Sequence, residues 1–227
     1  MAGKLSIVAT PIGNLEDITF RAIRTLSECD VILAEDTRTT IGLLKHYQIP
    51  QKETISFFEG NEERKINFAI TLLGMGKHVV LVSESGTPLL SDPGFKLVRS
   101  SIAMGINVET IPGPSALVAA LTVSGIPTNT FVFLGFLPRK SSNTERLLRE
   151  TKDGMSKHIR TVIFYESPHR IVKSLHLIKE IFGDVEVAVS RELTKLHEET
   201  LRGSVVEVIL HFEKISPRGE FTVVLSI

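Results

Sequence analysis

Short apolar runs punctuate the first half of the chain, and each is followed by a stretch with helical spacing. Residues 4–9, 31–34, 54–58, 78–82 and 107–111 have the length and β-branched content of buried strands. Helices are expected between them at 20–26, 39–47, 61–75 and 95–104, with an apolar one at 116–123. In 61–75, Ile66, Ile70 and Leu73 share one face, as an amphipathic helix requires. Asp17 or Thr19 can cap the first helix, and Asp36 or Thr37 the second. Strands alternating with helices in this way predict a parallel sheet covered on both faces. The turn residues of 124–129 break the pattern, and the alternation restarts beyond them. Strands are expected at 131–137, 161–165, 185–190, 200–204 and 221–227, and helices at 143–152, 170–182 and 205–213. The expected fold is therefore α/β, with two α/β domains in tandem. These are an N-terminal domain over 1–113, a linker and helix over 114–128, and a C-terminal domain over 129–227.

The polar residues collect where the strands end. The run Ser83-Glu84-Ser85-Gly86-Thr87-Pro88-Leu89-Leu90-Ser91-Asp92-Pro93-Gly94 follows the strand 78–82. Its two prolines and two glycines fix a loop shape before any ligand arrives. That edge of an open α/β sheet is where ligands bind. The plainer reading is a connection in which Asp92 caps a helix begun by Pro93. Thr10-Pro11-Ile12-Gly13-Asn14, Glu35-Asp36-Thr37-Arg38 and Pro112-Gly113-Pro114-Ser115-Ala116 leave other strand ends in the same manner. In the second half, Glu166-Ser167-Pro168-His169-Arg170 and Arg191-Glu192-Leu193-Thr194-Lys195 do likewise.

Composition removes several classes of function. Net charge is zero, which excludes a broadly basic nucleic-acid coat but permits a local patch. Such a patch is visible from Arg139 to Lys173, where nine Lys/Arg stand against four Asp/Glu. Within it, Pro138-Arg139-Lys140-Ser141-Ser142 has the make-up of an anion-gripping loop. The single cysteine, Cys29, makes no internal disulfide, and no apolar stretch is long enough for a signal peptide or a membrane span. A cytoplasmic protein is expected. The loop after the first strand has neither a dinucleotide-binding G-x-G-x-x-G nor a P-loop, and Gly74-Met75-Gly76-Lys77 reads as a helix C-terminus. No His-Glu-x-x-His or Gly-x-Ser-x-Gly occurs, so no metal is expected.

Six motifs in order carry a family resemblance: 8–15, Glu35-Asp36-Thr37-Arg38, 83–94, 112–116, Tyr165-Glu166-Ser167-Pro168-His169-Arg170 and Arg191-Glu192-Leu193-Thr194-Lys195. Together they resemble the class III, tetrapyrrole-methylase-like S-adenosylmethionine methyltransferases, and among these the enzymes that act on small-subunit ribosomal RNA. The resemblance spans nearly the whole chain. It implies two α/β domains with a cofactor cleft between them, usually in a homodimer. It also implies 2′-O-methylation of a cytidine in the decoding region of 16S rRNA, on naked RNA or on the assembled small subunit.

Carried over by position, the cofactor side comprises Pro11, Glu84, Gly86, Thr87, Pro88, Ser115, Ala116 and Tyr165, with Glu220 after them. Asp36, Glu192 and Lys195 are the candidate acceptors of the ribose proton, water being the alternative. Arg38, Arg139, Lys140, His169, Arg170 and Arg191 are the candidate RNA contacts. The chain departs from the family pattern twice. Glu84 stands where relatives usually carry Asp, and the sequence stops after the last strand where many relatives continue into a small C-terminal segment, so either a short version or a cut one is expected. The competing readings are a precorrin C-methyltransferase and a non-catalytic protein that binds RNA or a nucleotide.

Overall fold

The computed structural model describes residues 3–156 and 158–227. They form two compact units, Met1–Ser115 and Ala116–Ile227.

In the first unit, strands β1 (Lys4–Val8), β2 (Val31–Ala34), β3 (Glu53–Ser56), β4 (His78–Val82) and β5 (Asn107–Ile111) lie in the order β3-β2-β4-β1-β5. All neighbours are parallel. Helices α1 (Phe20–Glu28), α2 (Thr37–His46), α3 (Glu62–Gly74) and α4 (Phe95–Ala103) connect them. The pleat divides the core between two faces. Val80 and Val82 of β4 join Ala22 and Leu26 of α1 and Leu44 of α2. Val79 and Leu81 join Ala69 and Leu73 of α3 and Leu97 of α4. The apolar runs are continuous because both faces are covered.

Strand order locates the ligand edge. β1 and β4 are neighbours, yet the chain leaves β1 towards β2 on one side and β4 towards β5 on the other. The gap between their carboxyl ends is thus a topological switch point of the sheet, as is the gap between β2 and β4.

The second unit contains α5 (Ala116–Val123), β6 (Phe131–Phe136), α6 (Ser141–Gly154), β7 (Thr161–Glu166), α7 (Ile171–Phe182), β8 (Glu186–Arg191), β9 (Glu199–Ser204), α8 (Val205–Lys214) and β10 (Phe221–Ser226). Its sheet has the order β6-β7-β10-β8-β9 and is mixed. Only β6 and β7 are parallel; β10 runs antiparallel between β7 and β8, and β9 pairs antiparallel with β8. The restarted alternation therefore does not make a second parallel sheet. No helix separates β8 from β9, and a short connection can join only antiparallel neighbours. One core gathers Val162 and Phe164, Val187 and Val189, and Val223 and Leu225 under α7 and α8. Helix α5 packs on β7 and β10.

Caps follow the sequence closely. Thr19 Oγ1 accepts from Ala22 N at 3.1 Å, and Asp36 accepts from the amides of Arg38 and Thr39. Ser204 and Glu207 form a reciprocal capping box on α8. Asp92 is a correction. Helix α4 begins at Phe95 behind Gly94, which is at φ 129° and supplies no side-chain cap.

Candidate functional site

In the first unit, the loops leaving β1, β4 and β5 are tied to one another by main-chain hydrogen bonds and by one side-chain hydroxyl on a backbone carbonyl. Thr10 and Gly86 exchange two bonds across the switch point between β1 and β4, Thr10 N to Gly86 O at 2.9 Å and Gly86 N to Thr10 O at 3.0 Å. Thr87 Oγ1 donates to Pro114 O at 2.9 Å, and Ala9 N donates to Ile111 O at 3.2 Å. Pro11, Gly86, Thr87 and Pro88 are thereby assembled at one edge, beside the loop that ends at Ser115. The first βα turn, which carries the glycine-rich motif in the dinucleotide-binding arrangement, is here bridged to the loop after β4 through Thr10 and Gly86.

Gly86 cannot readily be replaced. It sits at φ 77°, and a Cβ there would lie 3.1 Å from Ile12 Cγ2. The rest of the loop is contorted as well, with Leu89 and Ser91 both at φ 73°. Ser83 Oγ holds the loop's start by donating to Ser85 O at 3.1 Å. Glu62 Oε1 holds its end by accepting from Gly94 N at 3.1 Å. Thr10 Oγ1 is buried at this edge and has no hydrogen-bond partner among the described residues. A buried hydroxyl left free beside fixed backbone suits a polar ligand group.

Carboxylates flank the same loops. Glu35 Oε2 accepts from Glu84 N at 3.1 Å, so Glu35 positions the backbone at 84. Asp92 is pushed up to about 7 by burial, with the nearby charge of Glu35 adding to the effect. Its side chain titrates near neutrality, which the capping reading of the sequence missed. The signal available was its place in a polar loop at a buried strand end. Asp36 is held down to about 2, chiefly by the Arg38 side chain (Nη2 to Oδ2, 2.7 Å) and the Arg38 amide. Arg38 is itself 90% exposed.

The second unit holds its loops by charge. Glu166, at the end of β7, has a fully buried side chain that accepts from Ser167 N at 2.8 Å and Ser174 Oγ at 2.6 Å. Arg170 pairs with it at 2.6 Å. Arg170 Nη1 donates to the carbonyls of both Leu137 and Pro138 at 3.0 Å. The fork expected to grip RNA is therefore engaged inside the protein, while Arg139, Lys140 and His169 are exposed.

Arg191 pairs with Glu199 at 2.6 Å. Lys195 bridges Glu192 at 3.0 Å and Glu220 at 2.9 Å. Burial opposes the charge on Lys195, but its bonds to Glu220 and Glu192 win and its pKa is raised, so it stays protonated. Burial likewise opposes the charge on Glu192; Lys195 and the amide of Glu220 outweigh it, and its pKa is lowered. The hydroxyl of Tyr165 accepts from Leu117 N at 3.2 Å, satisfying an amide in the first turn of α5. The Tyr165 ring meets Phe133 and Phe136 with centroids at 5.0 and 5.3 Å. Ala116 starts α5, and Glu220 precedes β10.

Among the described residues no group of His, Cys, Asp and Glu could hold a metal ion, and no helix is long and apolar enough to cross a membrane. Residues 4–209 match the family model of tetrapyrrole (corrin/porphyrin) methylases. A Thermotoga maritima protein named ribosomal RNA small subunit methyltransferase I is 53% identical, over 99% of this chain and 98% of its own length. Its namesake in Halalkalibacterium halodurans is 48% identical over 99% of this chain and 76% of that protein. The fold is shared with uroporphyrin-III C-methyltransferase of Thermus thermophilus, crystallised with S-adenosyl homocysteine. There the TM-score is 0.66 and the identity 20%, over 98% of this chain and 96% of that one.

Proposed function

The chain belongs to the tetrapyrrole (corrin/porphyrin) methylase family, and from that premise we propose that it is an S-adenosylmethionine-dependent rRNA methyltransferase. Its product is a 2′-O-methylated cytidine in the decoding region of small-subunit rRNA. The observation that carries this reading is the 53% identity, end to end, with a protein named for small-subunit rRNA methylation. The 20% identity to the porphyrin enzyme speaks for the fold alone. A homodimer in the cytoplasm is part of the same reading.

The first unit's edge fits the cofactor. Fixed carbonyls and amides around Pro11, Gly86, Thr87 and Pro88 match the donors and acceptors of an adenine and an amino-acid tail, and Thr10 Oγ1 offers a free buried hydroxyl. Glu84 lies next to them, with its amide fixed by Glu35. When bound, S-adenosylmethionine supplies a methyl group already activated on a sulfonium. The protein's own task is to align the ribose hydroxyl and exclude water, and positioning of this kind supplies much of a rate enhancement. Asp36 and Glu192 are held below the ordinary carboxylate range, and Lys195 keeps its proton. None of the three is matched to neutral pH, so in this reading the ribose proton passes to water.

The test supplies labelled S-adenosylmethionine and small ribosomal subunits lacking the modification, then digests the RNA to nucleosides for mass spectrometry. The expected product is 2′-O-methylcytidine. A methyl on a base, or transfer only to a porphyrin precursor offered in parallel, would overturn the assignment.

A further inference from the structure

We propose that Arg170 is a positioning residue that sets the basic turn 138–140, just ahead of α6, as a phosphate contact for RNA, without touching RNA itself. This rests on the rRNA reading above. Three ties converge on the start of that turn. Leu137 is anchored in the core. The carbonyls of Leu137 and Pro138 each accept from Arg170 Nη1 at 3.0 Å. Pro138 O also accepts from Thr144 Oγ1 at 2.8 Å. Immediately beyond these ties the chain is exposed, and among the described residues neither Arg139 nor Lys140 has an ion-pair partner.

The other end of the clamp is Glu166, whose side chain is fully buried. Removing a carboxylate from water is costly, and a buried ion pair is commonly no more stabilising than apolar residues of the same size. What the pair provides is geometry. One oxygen of Glu166 receives Ser167 N and Arg170, and the other receives Ser174 Oγ, so the guanidinium has one orientation. Its remaining nitrogen then points at two consecutive carbonyls of a segment more than thirty residues earlier in sequence. A lysine could not do this, because a single ammonium lacks the planar fork. Two unpaired cations beside a fixed backbone are suited to a phosphate, and their reach depends on where residues 137 and 138 are held.

A double-mutant cycle on methyl transfer to small ribosomal subunits tests the proposal. Arg170→Met is made together with Glu166→Gln, so that no carboxylate is left buried without its partner. This clamp variant is then combined with Arg139→Ala/Lys140→Ala. Alone, the clamp variant should raise KM for the particle by about tenfold with kcat within about twofold, because binding rather than chemistry is lost. In the Arg139→Ala/Lys140→Ala background it should add less than about twofold, because both changes act through one turn. Calorimetric affinity for S-adenosylmethionine should not change. Arg170→Lys should resemble the clamp variant rather than the wild type.

Multiplicative effects, or a wild-type KM for Arg170→Lys, would mean that position 170 meets RNA directly and would overturn the proposal. So would a matching loss of cofactor affinity. Amide exchange gives a readout independent of RNA. The amides of Asn143 and Thr144, which both donate to Lys140 O, should exchange faster in the clamp variant, and unchanged exchange would refute the clamp. If the wild-type protein leaves the particle unmethylated, the functional reading falls, while amide exchange still decides whether Arg170 holds the turn.

Discussion

The two units hold their loops by different means. In the first, loops from three parallel strands are held mainly on backbone groups: Thr10 to Gly86 and Ala9 to Ile111 through the main chain, Thr87 Oγ1 on Pro114 O, and the carboxylates of Glu35 and Glu62 on the amides of Glu84 and Gly94. In the second, loops from a mixed sheet are held by charged side chains: Glu166 with Arg170, Arg191 with Glu199, and Lys195 with Glu192 and Glu220. Backbone ties resist salt and pH but depend on conformations that only certain residues adopt. Ionic clamps tolerate backbone change but fail when one partner is removed. On the proposed reading, the first kind suits a small cofactor needing fixed carbonyls and amides. The second suits a polyanion met by nearby cations.

The largest predicted effect strikes the ionic unit. Arg170→Met alone leaves Glu166 buried without its partner, and such a loss costs about 3–5 kcal/mol. Thermal melting should fall by many degrees, and adding Glu166→Gln should recover most of the loss. If Arg170→Met melts like the wild type, Glu166 is not the buried charge described here.

Next in size is a backbone change in the first unit. Gly86→Val places a β-branched residue at φ 77° and drives a Cβ to 3.1 Å from Ile12 Cγ2. Backbone strain of this kind costs about 1–3 kcal/mol, so cofactor affinity should fall by about tenfold to a hundredfold. Retention of full affinity in calorimetry would show that the loop at 86 makes no part of the site.

A smaller effect depends on pH. The Asp92 carboxyl is raised to about 7 in the fold, against about 3.9 in an unfolded chain. The fold favours its neutral form, so its contribution is complete below about pH 4 and is lost as pH rises through about 7. Asp92→Asn should therefore stabilise the protein more at pH 8 than at pH 5, read as the difference in melting temperature from wild type. An equal difference at both values would contradict the burial of that carboxyl. Smallest of all is Arg38→Ala. With Arg38 90% exposed, no measurable change in melting temperature is expected, and a drop of several degrees would reveal a structural role.

Most of the first unit was legible because a doubly covered parallel sheet writes itself as apolar runs separated by helical spacing. The caps at Thr19 and Asp36 were legible for a local reason: their partners lie two or three residues ahead. Asp92 misled because the loop between Leu89 and Gly94 turns through left-handed conformations, which no propensity for Leu or Ser foretells. The direction of β10 was hidden too, since an apolar run carries no sign of which neighbour it joins. Glu166 and Arg170 stand four apart and could have been paired on sight. The carbonyls that Arg170 holds come from the end of β6, a contact that only the folded sheet reveals.

The most direct test of this division of labour is one calorimetric comparison. S-adenosylmethionine is titrated into the wild type, Gly86→Val and the Glu166→Gln/Arg170→Met clamp variant under identical conditions. Affinity should collapse in Gly86→Val and match the wild type in the clamp variant. Equal losses in both, or a loss confined to the clamp variant, would contradict that division between the two units.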